Sequence, residues 1–217
     1  KPTSAWAISG AKRPLRRRPS CWWNVSPEGG TEQKIKPATA RVFFALWPSP
    51  ALASALADFA IAAAKRYGGR SSRPDTIHLT LAFLGEVPES ALPTLCALAA
   101  SIKAPPFELV IDRLGFWPHN HLLWAGCSTT PVPLQDMVLA LQKSLIAAGF
   151  NPDRADRPFT SHLTLLRKVP VISQPGNDEP LPEISPFPWR CSRWVLVRSH
   201  SNAQGANYQS IGEFLLA

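Results

Sequence analysis

One tetrapeptide, written twice, constrains this chain more than any other feature. His78-Leu79-Thr80-Leu81 and His162-Leu163-Thr164-Leu165 are identical and stand 84 residues apart. Each lies in a short apolar run of the kind that forms a strand. Side chains alternate across a strand, so His and Thr at i and i+2 share one face while the two leucines take the other. The leucines belong in a core, and the imidazole and hydroxyl then point at whatever lies opposite. Two such strands, separated by about half of the folded chain, predict two related lobes facing one another across a cleft.

The elements around the repeat are short and well punctuated. Arg41–Trp47 reads as a buried strand stopped by Pro48 and Pro50. Leu52, Leu56, Phe59 and Ala63, at three- and four-residue steps, predict an amphipathic helix over 50–66, closed by Gly68-Gly69. Strands are expected at 77–84, 107–116, 121–127, 161–167, 193–199 and 207–216, and helices at 89–101 and 131–148. Pro170 to Pro188, with six prolines, reads as a long loop. Several strands adjoin without a helix between them. That predicts an α+β fold rather than a doubly wound parallel sheet: bilobal and pseudo-symmetric, its antiparallel sheets facing the cleft and its helices outside.

The net charge of +8 is unevenly placed. Residues 1–40 hold eight Lys/Arg against two Asp/Glu, leaving +2 for residues 41–217. The first forty residues, with Arg16, Arg17 and Arg18 between Pro14 and Pro19, keep no helical or strand period. They are read as a basic, Pro-rich, disordered extension to a domain over 41–217. The overall basicity is therefore weak evidence that the globular part binds nucleic acid. No apolar run is long enough to span a bilayer, so no membrane role is expected. Cys21, Cys96, Cys127 and Cys191 are widely spaced and form no C-x-x-C pair, which reads as reduced thiols in a cytoplasmic protein.

Two imidazoles and two hydroxyls around one anion suit the attack of water on a phosphodiester. A neutral His takes the proton of the water and a protonated His gives one to the departing oxygen. Histidine's ordinary pKa, near ~6.5, makes both forms available at neutral pH. Thr80 and Thr164 are placed to donate to the non-bridging oxygens, where charge gathers in the transition state. No cluster of Asp, Glu and His at ligand spacing surrounds either copy, so neither a metal nor another cofactor is expected. His119 and His121 flank Asn120 but make too few ligands for a site, and His200 reads as solvated.

At these residues the sequence resembles the two-histidine phosphoesterases, and among them the bacterial RNA 2′,3′-cyclic phosphodiesterases, also called 2′-5′ RNA ligases. The resemblance covers roughly 41–217. It is carried by Arg41-Val-Phe-Phe-Ala-Leu, by His78-Leu-Thr-Leu-Ala-Phe-Leu-Gly85, by Arg157-Pro-Phe-Thr-Ser-His-Leu-Thr-Leu-Leu-Arg167 and by the closing strands. Thr160-Ser161 stands where the family often has His-Pro. The resemblance implies hydrolysis of a 2′,3′-cyclic phosphate to a 2′-phosphomonoester, with His78 as proton donor and His162 as proton acceptor, and reverse 2′-5′ ligation without ATP. The sequence itself does not order the two roles. Arg167 falls where the family carries an arginine thought to meet the phosphate, and Phe83 is its counterpart in the first copy, able to stack on a base. Strict alternation puts both on the face away from the histidines, so either role requires a bulge or an early strand end. RNA ends or cyclic nucleotides are the expected substrates, and a monomer the expected state. Two other readings use the same motifs: a phosphoesterase acting on 2′-5′ oligoadenylate or ADP-ribose cyclic phosphate, and a non-catalytic module that binds RNA ends.

Overall fold

The computed structural model describes residues 38–153, 155–170, 181–202 and 205–217. The expected extension lies outside these residues except at its end, because the first strand already begins at Thr39. Among these residues, ten strands and three α-helices follow one another. They are β1 (Thr39–Leu46), α1 (Pro50–Tyr67), β2 (Arg70–Ser71), β3 (Leu79–Pro88), α2 (Leu92–Ser101), β4 (Phe107–Ile111), β5 (Arg113–Trp117), β6 (Leu122–Gly126), α3 (Val132–Ala147), β7 (His162–Arg167), β8 (Phe187–Cys191), β9 (Arg193–Asn202) and β10 (Gly205–Leu215). Every strand pairing is antiparallel. The fold is α+β.

Local chemistry explains the helix ends. In α1 the Ser49 hydroxyl accepts from the Leu52 amide, Pro50 occupies the first turn, and Lys65 and Arg66 lie in the last. Gly68, at φ 69, then turns the chain as a side chain would resist doing. Leu52, Leu56, Ala60, Ala63 and Tyr67 form its buried stripe.

The two expected lobes share one sheet. Its order is β10-β9-β1-β3-β7-β6-β5, with β2 also paired to β7. The halves β10-β9-β1-β3 and β7-β6-β5 meet through a single pair, Leu79 with Leu163. Helix α1 packs on β7 and α3 on β3, so each helix covers the half opposite its own preceding strand. One contiguous core, including Phe44, Leu79, Leu163, Leu56 and Leu141, fills the space between sheet and helices. A smaller cluster of Phe43, Ala45, Val195 and Val197 lies apart from that core.

Two details depart from the sequence reading. The run 107–116 is two strands, because Asp112 breaks it: its carboxylate accepts from the Ser128 amide at 2.7 Å and the Ser128 hydroxyl at 2.6 Å. Strand β4 then pairs with β8 in a separate two-stranded sheet. Strand β8 lies at the end of the Pro-rich loop, where Pro188 argues against a strand; in a two-stranded sheet an edge that needs no donor tolerates it.

Candidate active site

The Leu79–Leu163 pair sets the geometry of the repeated motif. These are equivalent residues of identical tetrapeptides, and an antiparallel pair has a local twofold axis at its centre. Continuing the register sets His78 opposite Thr164 and Thr80 opposite His162. All four line a single cleft of about 1060 Å³. The leucines of both copies are fully buried or nearly so on the other face, as the alternation predicts.

A bulge at the fourth residue of each copy lets the strands present two further side chains. In β3, Thr80 pairs with Ala45 and Ala82 with Phe44, leaving Leu81 as the extra residue. In β7, Thr164 pairs with Trp124 and Leu166 with Leu123, leaving Leu165 extra. Leu81 and Ala82 both enter the core, as do Leu165 and Leu166. The alternation is thereby reset, and Phe83 and Arg167 emerge on the histidine face, lining the cleft. Because β3 and β7 run in opposite directions, Arg167 lies beyond His78 and Phe83 beyond His162.

The two rings are tethered alike. His78 Nδ1 is 2.8 Å from the Thr76 carbonyl and His162 Nδ1 is 2.9 Å from the Thr160 carbonyl. A carbonyl oxygen only accepts, so each Nδ1 donates and the neutral ring keeps its lone pair on Nε2. The tether uses the backbone of Thr160, and Ser161 is buried with its hydroxyl 3.0 Å from that of Thr130. The departure from His-Pro at 160–161 therefore costs neither histidine its support.

Aromatic rings hold both imidazoles. Trp47 stacks on His78 with centroids 5.2 Å apart, Phe43 lies at 4.8 Å and Tyr208 meets it edge-on at 5.1 Å. Trp117 meets His162 edge-on at 4.6 Å, backed by Trp124. Gly115 makes room for that tryptophan: a Cβ there would lie 2.0 Å from the Trp124 ring. Burial pushes the pKa of His78 down to about 4, with Arg167 and His162 adding positive charge nearby and the Thr76 carbonyl opposing them. None of these rings follows from the repeated motif. The signal for Phe43 and Trp47 is the odd-numbered face of residues 41–47, which Arg41 also shares.

Among the described residues, four arginines, Arg41, Arg70, Arg157 and Arg167, line the cleft against one acid, Asp153. Arg41 lies over the Phe83 ring at 4.9 Å. His119 lines the cleft mouth, whereas the His121 ring faces the Val169 carbonyl at 3.1 Å. No group of three or more His, Cys, Asp or Glu among the described residues is placed to hold a metal. Among the same residues, no helix is long and apolar enough to cross a membrane. No disulfide joins Cys96, Cys127 and Cys191, and burial raises the Cys127 and Cys191 thiols to about 11 and 12.

The family description "LigT like Phosphoesterase" matches residues 46–124, which include the whole first motif. Over that stretch the chain is similar to the LigT-like phosphoesterases. Over 111 residues it is 36% identical to the RNA 2′,3′-cyclic phosphodiesterase of Escherichia coli, a match that spans 50% of this chain and 62% of that protein. The enzyme of the same name from Thermus thermophilus is 27% identical over 81% of this chain and 90% of its own length. Among solved structures, E. coli LigT complexed with 3′-AMP superposes with a TM-score of 0.74 at 26% identity, covering 83% of this chain and 99% of that chain.

Proposed function

We propose that this protein is a LigT-like phosphoesterase that opens the 2′,3′-cyclic phosphate at RNA ends to a 2′-phosphomonoester by acid–base catalysis between His78 and His162. The observation that carries the reading is the pairing of Leu79 with Leu163, which turns two distant motifs into one constellation. The name and activity of the E. coli and T. thermophilus relatives support the substrate class.

In this mechanism His162 Nε2 accepts a proton from water as the water attacks phosphorus. The P–O3′ bond breaks, and His78 Nε2 delivers a proton to the departing 3′ oxygen. The order follows the family resemblance. The Thr80 and Thr164 hydroxyls donate to the non-bridging oxygens, and Arg167 counters their charge. A bound phosphate supplies negative charge beside His78 and offsets Arg167, so it raises the pKa of that imidazole toward the range in which it can act as an acid. Run in the same direction with a 5′-hydroxyl in place of water, the same groups make a 2′-5′ linkage without ATP: the 5′ oxygen gives its proton to His162 and bonds to phosphorus as P–O3′ breaks and His78 protonates the 3′ oxygen. Phe83, on the His162 side, is where the nucleoside bearing that hydroxyl would stack. The reading keeps the monomeric, cytoplasmic setting inferred from the sequence.

The test is incubation with adenosine 2′,3′-cyclic phosphate in EDTA, with the product isomer identified. Formation of the 2′-phosphate, slowed by ~10²–10⁴-fold in His78→Ala and in His162→Ala, is expected. Wild-type turnover in either variant would remove the assignment. Turnover of 2′-5′ oligoadenylate or ADP-ribose cyclic phosphate in preference would redirect the substrate class. A chain that binds the cyclic end and never opens it would be the non-catalytic module.

A further inference from the structure

We infer that Arg70 forms a second phosphate subsite, one that takes the phosphodiester on the 5′ side of the reacting nucleotide and makes an oligonucleotide end a better substrate than a cyclic mononucleotide. The inference rests on the proposed reaction. Its basis is an arginine pair that the repeated motif does not explain.

Arg70 and Arg167 are direct partners across the β2–β7 ladder. Residues opposite one another in a sheet share a face, and both of these line the cleft. Like charges in this relation destabilise a sheet. Among the described residues, no carboxylate lies within ion-pair distance of either guanidinium. The neighbouring arginine is handled differently: Arg73 is neutralised by Asp75 at 3.0 Å and fastened to the Ala206 carbonyl at 3.1 Å. Gly205 lies beside Arg70: a Cβ at Gly205 would meet the Arg70 guanidinium at 3.6 Å, an ordinary van der Waals contact. An exposed, uncompensated pair of guanidiniums facing a cleft is relieved when an anion sits between them or beside them.

Position decides which anion. Arg167 stands on β7, the strand that carries His162 and Thr164, whereas Arg70 stands on β2, across the ladder from it. Arg70 therefore stands one strand removed from Arg167, with the two backbones about 5 Å apart across the ladder, and two arginine side chains at that backbone spacing can reach successive phosphates of a strand. The direction agrees. If His78 protonates the 3′ oxygen, the ribose that owns this oxygen lies on the His78 side, and its 5′ carbon leads the RNA toward Arg167 and Arg70.

Two measurements test this on the full chain. Turnover is compared for adenosine 2′,3′-cyclic phosphate and for the dinucleotide ApA ending in a 2′,3′-cyclic phosphate. Binding is compared for their unreactive analogues, 3′-AMP and ApA 3′-phosphate, by intrinsic tryptophan fluorescence. Wild type is expected to favour the dinucleotide about tenfold in KM and in Kd. Arg70→Gln removes that preference while leaving kcat and the mononucleotide values unchanged, Arg70→Lys keeps part of it, and the exposed Arg193→Gln keeps all of it. The salt dependence of dinucleotide binding falls by about 0.7 in log–log slope in Arg70→Gln. Equal loss on both substrates would overturn the inference in favour of a role at the scissile phosphate. An undiminished dinucleotide preference in Arg70→Gln, or none in wild type, would overturn it outright. If wild type opened neither cyclic phosphate, the proposed reaction would fail, and the binding ratio would still decide the subsite.

Discussion

Acid should weaken this fold through His78 by an amount that can be isolated. The imidazole is partly buried, tethered through Nδ1 to the Thr76 carbonyl and enclosed by Phe43, Trp47 and Tyr208. Its pKa falls from 6.5 to about 4 on folding, chiefly by burial. The unfolded chain therefore takes up a proton here below pH 6.5, while the folded chain does so only near pH 4. Stability attributable to neutral His78 is complete above pH 6.5 and drains away as the pH falls toward 4. At about 1.36 kcal/mol per pH unit, the loss reaches about 2 kcal/mol at pH 5 and about 3 kcal/mol at pH 4. Access to the water of the cleft makes these figures ceilings. The assay is urea unfolding at pH 7, 6, 5 and 4.5, followed by tryptophan fluorescence, for wild type and His78→Gln. Other titrating groups cancel in the difference between the two proteins. A gap that changes by about 2 kcal/mol between pH 7 and 5, to the disadvantage of wild type, is expected. A difference independent of pH would refute the claim that folding holds this imidazole neutral.

Arg167→Gln removes a positive charge from beside His78, so the pKa of that ring should rise, as read by NMR titration, while kcat/KM falls about 10–100-fold. Gly115→Ala drives a Cβ into the Trp124 ring; a loss of about 1–3 kcal/mol in urea unfolding is expected, with slower turnover as Trp117 and His162 lose their backing. Leu163→Ala empties a fully buried site at the junction of the two half-sheets, and thermal unfolding should show a cost of about 2–5 kcal/mol.

The sequence disclosed whatever depends on period and punctuation. The strand face shared by His and Thr, the stripe of α1 and its stop at Gly68-Gly69, and the α+β order were all legible because each is local. The placement of Phe83 and Arg167 was legible only as a condition. Alternation forbids it, and the bulges at Leu81 and Leu165 that permit it are written in the pairing with β1 and β6 rather than in either strand alone. Strand β8 was hidden by Pro188, whose missing donor is harmless only once the edge position is known. Tyr208 and Arg70 reach the cleft through long-range pairing, with Ser199 for one and Arg167 for the other, and nothing within a window of neighbouring residues announces that.

A half-turn about the midpoint between Leu79 and Leu163 exchanges the histidines and exchanges the threonines, but it lays a phenylalanine where an arginine was. The two histidines and two threonines by themselves have no left or right. Whatever would distinguish one ester oxygen of a bound phosphate from the other must come from the side chains that break the match: Phe83 and Arg167 beyond the two bulges, and the unequal rings around the two histidines.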